Sequence, residues 1–272
     1  MKKHRLTNIF AGTYSVFVFL FLYAPIVVLM ATSFNDSKFR NKWGGFTLKW
    51  YSDLFHDSVI MTSLRNTVLL ALFSAVIATV IGTFAAIGIY YLRKGIVKTA
   101  LMNLTYIPML SPDIVTGISL LLLFTFFGIT LGFKSLLLAH ITFNIPYVIL
   151  SVMPKLRQMN QFTYEAALDL GMRPFQAVNK VIIPEIFPGI ISGFLLALTL
   201  SIDDFVISFF TTGPGVSTLS ITIYSMTRRG IKPEINALST LMFATVLTLL
   251  IIINLRNSKM EKAESLNNGG NR

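Results

Sequence analysis

Apolar residues in this chain come in long, solid runs separated by short polar segments, with little of the alternation expected of strands. A helix needs about 20 apolar residues to cross a hydrocarbon core of about 30 Å, whereas barrel strands alternate from one face to the other. The pattern predicts about six spanning helices, near Ile9–Ala31, Asn66–Leu92, Thr99–Ile129, Leu136–Met153, Gly189–Phe210 and Ala237–Asn254. The third is interrupted by Pro108 and Pro112. Each removes a backbone donor and frees a carbonyl one turn earlier, so a kink or break is expected. In the second, Gly82 and Ala86 offer a face on which another helix can pack closely.

The polar intervals divide the chain. Basic residues lie mainly before helix one, after helix two, in the segment following helix four and in the tail, which by the positive-inside rule makes those segments cytosolic. The expected organisation is an amino-terminal segment with helix one over 1–33 and a first periplasmic loop over 34–62. A helical core follows over 63–254, containing a cytosolic loop at 154–188, and a disordered cytosolic tail ends the chain at 255–272. The apolar part after Lys2, Lys3 and Arg5 is too long for a secretory h-region and reads as a membrane helix.

Composition supports an integral membrane protein. With 54% hydrophobic and 13% charged residues, the 272-residue chain has too few polar groups to solvate a globular surface. The net charge of +11 does not point to nucleic acid, because the basic residues flank apolar runs. There is no cysteine, and His4, His56 and His140 lie too far apart for a metal-ligand pattern. No phosphate-binding G-x-x-x-x-G-K-[ST] loop and no Ser-His-Asp arrangement is present. The expectation is a non-enzyme without cofactor or metal, whose energy comes from elsewhere.

Candidate chemistry lies in the membrane acids and in the 154–188 loop. A charged aspartate near a helix centre costs roughly 2.5–3.5 kcal/mol on insertion scales, so Asp113, Asp203 and Asp204 should face an interior or aqueous path. At 1.5 Å per residue, Asp113 and Asp204 sit at similar depth. Gly193, Ala197, Ser201, Asp204 and Ser208 form one small-and-polar stripe on helix five. These acids could attract a multiply charged organic cation, with Tyr106 or Phe205 adding cation-π contacts, or could pair with His140 or Asn144 between helices. In the loop, Thr163 can cap a helix Tyr164–Leu170 that Gly171 ends, and Pro174 can begin another. Glu165 and Asp169 then share one exposed face, with Tyr164, Ala167 and Leu168 on another.

Here the chain resembles a known family. Glu165-Ala166-Ala167, Gly171 and Val181-Ile182-Ile183-Pro184 match the EAA loop of bacterial ABC importer permeases. Leu110-Ser111-Pro112-Asp113-Ile114-Val115, Ser201-Ile202-Asp203-Asp204-Phe205 and Ile223-Tyr224-Ser225-Met226 resemble the PotC-type permeases of spermidine/putrescine importers. The resemblance implies an all-α membrane protein with six transmembrane helices and the type I ABC importer (MetI-like) permease fold, in a bacterial inner membrane. It implies a PotB-type second permease, a cytosolic PotA-type ATPase dimer that binds the ATP, and a periplasmic polyamine-binding protein as partners. Glu165, Ala166, Ala167 and Gly171 would be the coupling helix, with Pro184 ending its support. Asp113, Ser201, Asp203 and Asp204 would line the substrate path, and Trp50 would be a periplasmic gate or binding-protein contact, or a membrane-interface anchor. Another cationic cargo, an ion channel and a proton-relay subunit are the alternatives.

Overall fold

In the computed structural model, residues 2–37, 42–160, 162–229, 232–245 and 247–248 are described. The expected tail at 255–272 and the end of the sixth expected helix lie outside them; residues 233–245 are helical. The described chain is built of helices, with a single isolated bridge between Asn35 and Phe46. It divides into two compact units, Met1–Met61 with Met226–Arg272, and Thr62–Ser225.

In the first unit, α1 (Lys2–Ser33) is long and apolar enough to span a membrane from Gly12. The loop after it is organised by Asn35, whose Oδ1 accepts the N–H groups of Ser37 and Gly44 and whose Nδ2 donates to the carbonyl of Lys42. The indole N–H of Trp50, on α2 (Lys49–His56), donates to the Asn35 carbonyl at 2.7 Å. Trp50 is 3% exposed, so the expected gate, contact surface or interface anchor is instead a buried strut of the loop. Its large ring fills the interior while its one donor finds a backbone acceptor. Trp43, by contrast, is exposed.

Asp57 starts α3 (Ser58–Tyr91), its Oδ1 accepting the N–H groups of Val59 and Ile60. Its other oxygen pairs with Lys232. Burial opposes ionisation of Asp57, but the Lys232 ammonium and the two amides outweigh it and hold its carboxyl below the usual value of 3.8.

The second unit holds the packed core. The paired α4 (Ile96–Leu110) and α5 (Asp113–Phe126) bend by 110° at Ser111-Pro112, as a broken span or a re-entrant loop. Pro112 accounts for the position of the break, because it drives the preceding residue out of the helical region, and Ser111 has ψ 139°. Pro108 stays inside α4. The span α6 (Phe133–Gln158) continues past Pro146 and Pro154, further than expected. After α7 (Thr163–Asp169), α8 (Pro174–Ala177) runs through a π-turn at Val178–Ile182 into α9 (Ile183–Asp203). Helix five therefore begins at Pro174 rather than Gly189, and the segment between spans shrinks from 154–188 to 159–173. Pro184 ends nothing; it lies in the first turn of α9. Having no N–H to give, it leaves a carbonyl one turn back unpaired, and the π-turn beside it takes up the mismatch.

Spans associate here through small residues, as lipid gives no hydrophobic drive for one helix to leave it for another. A Cβ at Gly82 of α3 would come within 2.8 Å of Val148, and one at Gly193 of α9 within 3.3 Å of the same residue. Ala75, Ala78, Ala86, Val152, Leu156, Ile182, Ile186 and Ala197 complete the buried seam. Then α10 (Val206–Thr211) packs on α5, where Phe210 lies against Gly117, and α11 (Leu219–Arg229) follows.

The Asp57 cap yields a signed expectation. Its lowered carboxyl contributes stability above pH about 4, near its unfolded value, and loses it as pH falls through the folded value. Asp57→Ala should destabilise the detergent-solubilised protein by about 1 kcal/mol at neutral pH, Asp57→Asn by less. Thermal melts from pH 7 down to 3 should show the wild type converging on the variants.

Candidate functional site

The acidic residues meet where α9 stops. A cavity of about 310 Å³ is lined by Asp113, Phe143, Thr199, Leu200, Asp203, Asp204, Phe205 and Val206. Asp113 is the first residue of α5, just beyond the Pro112 break; Asp203 is the last of α9; Asp204 and Phe205 link α9 to α10. The three expected path acids are thus brought together, although they are distant in sequence.

They are not equivalent. Asp113 and Asp203 are exposed to the cavity, and their carboxylates have no hydrogen bond or ion pair among the described residues. Asp204 is occupied. Its Oδ1 accepts the Ile207 N–H at 3.1 Å and its Oδ2 the Ser208 N–H at 2.7 Å, satisfying the amides that α10 would otherwise leave open. Nε2 of His140 lies 3.6 Å from the same Oδ2 and 3.0 Å from the Ser208 hydroxyl. His140 itself is fully buried in α6.

The expected continuous stripe on helix five is therefore corrected. Gly193, Ala197 and Ser201 form it, but the helix ends at Asp203, and Ser208 belongs to another helix. Ser201 is 2% exposed and faces the packed interior: the Asn144 amide donates to its hydroxyl at 2.7 Å, and Ser74 of α3 meets it at 3.0 Å. It ties three helices together rather than lining the cavity. Tyr106 lines a separate pocket with Leu150, Met153, Pro154, Arg157 and Gln158, so Phe205 and Phe143 are the rings beside the acids. Phe143 and Ser74 escaped sequence reading. Ser74 left a trace, as a serine inside a long apolar run.

The loop helix α7 carries the other candidate residues. Thr163 does not cap it; the N-cap is Phe162, whose own N–H bonds to the Asn160 side chain. Its carboxyl end closes as expected. Gly171 has φ +86°, its N–H donates to the Leu168 carbonyl and that of Met172 to the Ala167 carbonyl. This is the Schellman closure, for which glycine is preferred. Ala167 is buried and the Tyr164 ring lies tilted against Tyr91, centroids 4.9 Å apart, fixing the inner face. Glu165, Ala166 and Asp169 are exposed, beside Phe162, Leu170 and Phe175, each at least two-thirds exposed.

Apolar spans, one of them broken, thus gather three acids around one cavity, with a short helix beyond their ends. The chain belongs to the family of binding-protein-dependent transport system inner membrane components, whose profile matches residues 78–258. It is 40% identical over 260 residues to the spermidine/putrescine transport system permease protein PotC of Shigella flexneri, covering 95% of this chain and 96% of that one. It is 42% identical over 243 residues to the PotC protein of Escherichia coli strain K12, covering 89% and 90%. The putrescine transport system permease protein PotI of the same strain is 38% identical over 234 residues, covering 84% of this chain and 83% of PotI. The fold is that of type I ABC importer permeases (MetI-like). A chain of a bacterial ABC transporter importing the acidic polysaccharide alginate superposes with a TM-score of 0.74 at 13% identity, covering 95% and 98%. A chain of the MetNI methionine ABC transporter does so at 0.58 and 18% identity, covering 78% and 97%.

The geometry separates a structural acid from two free ones. Asp204→Ala should lower the melting stability of the purified protein by about 1–2 kcal/mol through the lost cap, with Asp204→Asn milder. Asp113→Asn and Asp203→Asn should leave the melt unchanged. Equal losses at all three positions would contradict the assignment.

Proposed function

We propose that this chain is the permease subunit of an ATP-driven importer of polyamines. Two partnerless carboxylates, Asp113 and Asp203, share one cavity with the rings of Phe143 and Phe205, and this observation carries the reading. A polyamine presents ammonium groups separated by apolar methylenes. Carboxylates meet the first, and aromatic faces accept both through cation-π and apolar contact. Because the alginate and methionine importers share the fold, the cargo is argued from the cavity charge and from the printed activities of the PotC and PotI relatives, not from architecture. An acidic polymer would be repelled by these acids.

On this reading the chain lies in a bacterial inner membrane and pairs with a PotB-type permease to complete the path. It receives cargo from a periplasmic polyamine-binding protein and takes its energy from a PotA-type ATPase dimer that holds the ATP. Closure of the ATPases would move α7, whose exposed Phe162, Ala166 and Leu170 recur every four residues and offer a ridge to a groove. The Gly171 closure and the Tyr164–Tyr91 contact would carry that motion to the end of α3 and so to the rest of the second unit.

Uptake of labelled spermidine and putrescine should be measured in a polyamine-uptake-deficient bacterium given this chain with its partner subunits. The Asp113→Asn/Asp203→Asn pair should reduce transport at least about tenfold with assembly intact. No polyamine uptake by the wild type would refute the cargo, and normal uptake by the assembled variant would refute the site. Coupling is tested apart from cargo. A valine at Gly171 forces a β-branched residue into the left-handed region at about 1–3 kcal/mol, so cargo-stimulated ATPase and uptake should fall together. Unchanged coupling in Gly171→Val would remove α7 from the transmission path.

A further inference from the structure

A second open cavity of this unit is unlike the acidic one. About 450 Å³ in volume, it is lined by Tyr90, Tyr91 and Leu92 at the end of α3, Lys94, Lys98 and Met102 around the start of α4, Met153 and Arg157 at the end of α6, and Glu165 of α7. Three cations thus face one acid. Lys98 is partly engaged, donating to the carbonyls of Tyr90 at 2.6 Å and Leu92 at 3.1 Å, which α3 leaves open at its end. Lys94 and Arg157 make no ion pair among the described residues.

We propose that this cavity binds the phosphate of an anionic phospholipid headgroup. The cavity lies where two apolar spans, α3 and α6, both end, which is the depth at which headgroups sit. Its wall is mixed in the way such a ligand requires: a guanidinium and an ammonium suit a phosphodiester, the Tyr90 and Tyr91 hydroxyls suit the glycerol, and Leu92, Met102 and Met153 meet the start of the acyl chains. Ile96 and Val97, 89% and 65% exposed on adjoining α4, continue the apolar surface outward. A soluble acidic partner would have no use for that apolar continuation. Glu165 contributes a negative charge at one edge, so the phosphate sits towards Lys94 and Arg157. The inference rests on the proposed reading of α7 only for its orientation, which makes this end cytosolic; it does not depend on the cargo. Because α7 supplies part of the wall, a bound headgroup would also brace the coupling helix against α3 and α6.

The test uses the assembled importer in nanodiscs of phosphatidylcholine containing increasing phosphatidylglycerol, with retained lipid read by native mass spectrometry. Wild type should retain phosphatidylglycerol selectively, and Lys94→Gln/Arg157→Gln should weaken retention at least about tenfold. Arg157→Gln alone gives an intermediate loss and serves if the double variant does not assemble. Lys134→Gln, a cation at the opposite end of α6, should change nothing. Equal retention in wild type and double variant overturns the proposal. So does displacement of the lipid by millimolar inorganic phosphate, which would mark a free-anion site, or loss of retention whenever the ATPase is bound, which would make the cavity a protein interface. Since the readout is lipid and not transport, its failure leaves the polyamine reading standing, and the reverse also holds.

Discussion

A helix broken inside an apolar slab must find partners for the backbone groups it releases, and the acidic cavity is arranged around how Asp204 does so. Where α9 stops, its last carbonyls point on along its axis and the first amides of α10 have no turn before them to accept from. The Asp204 carboxylate takes two of those amides at once. His140, buried one helix away, stands against the same oxygen and against Ser208, so the break is pinned to α6 as well. With α10 fixed, its neighbour α5 is fixed too, because Phe210 fills the space a side chain at Gly117 would need. The amino end of α5 carries Asp113. A cap on one helix thereby sets the position of a free acid on another.

The same economy governs the seam behind the cavity. Close approach of α3, α6 and α9 depends on Gly82 and Gly193 receiving Val148, and it brings Ser74 and Asn144 each within hydrogen-bond reach of Ser201. In lipid such a chain of polar contacts contributes modestly to stability, on the order of 0.6 kcal/mol for each, but it is directional. Van der Waals packing of small residues permits sliding; a serine shared by two partners does not. The seam holds α6 and α9 in register on one side of the cavity, while Asp113 of α5 and Val206 of α10 line it from the other.

What could be read from the sequence was whatever depends on local chemistry. Of the six spans that apolar length predicts, it located four and a broken fifth among the described residues; Pro112 announced the break in the third, and Gly171 announced the end of α7. Features that depend on which neighbours meet were not legible. Nothing local marks Asp204 as different from Asp203: both are aspartates in one dipeptide, and only the loss of helix after Asp203 gives one an amide-capping task and leaves the other free. Extending helical periodicity through that point placed Ser208 on the wrong element. The loop bounds at Pro154 and, from the resemblance, the stop at Pro184 mark no boundary in the fold: Pro154 lies inside α6, and Pro184 lies in the first turn of α9 beside the π-turn. Trp50 was read as a surface residue because tryptophan is common at interfaces; the Asn35 carbonyl, exposed by a turn that only the folded loop contains, drew it inside.

The charge distribution makes a final argument about direction. The chain is basic overall, at +11, yet the cavity at the α9 break carries two carboxylates without a hydrogen bond or ion pair among the described residues, and the cavity beside α7 carries three cations and one acid. A cation released from the acidic cavity towards the α7 end would meet a repulsive surface, unless those charges were already met. An anionic headgroup among Lys94, Lys98 and Arg157 would lower that barrier at the proposed exit, while the carboxylates proposed to attract the cargo stay at the break. Attraction at the break and neutralised repulsion at the end would together satisfy the requirement that binding be favourable enough to admit a charged solute and weak enough to let it leave.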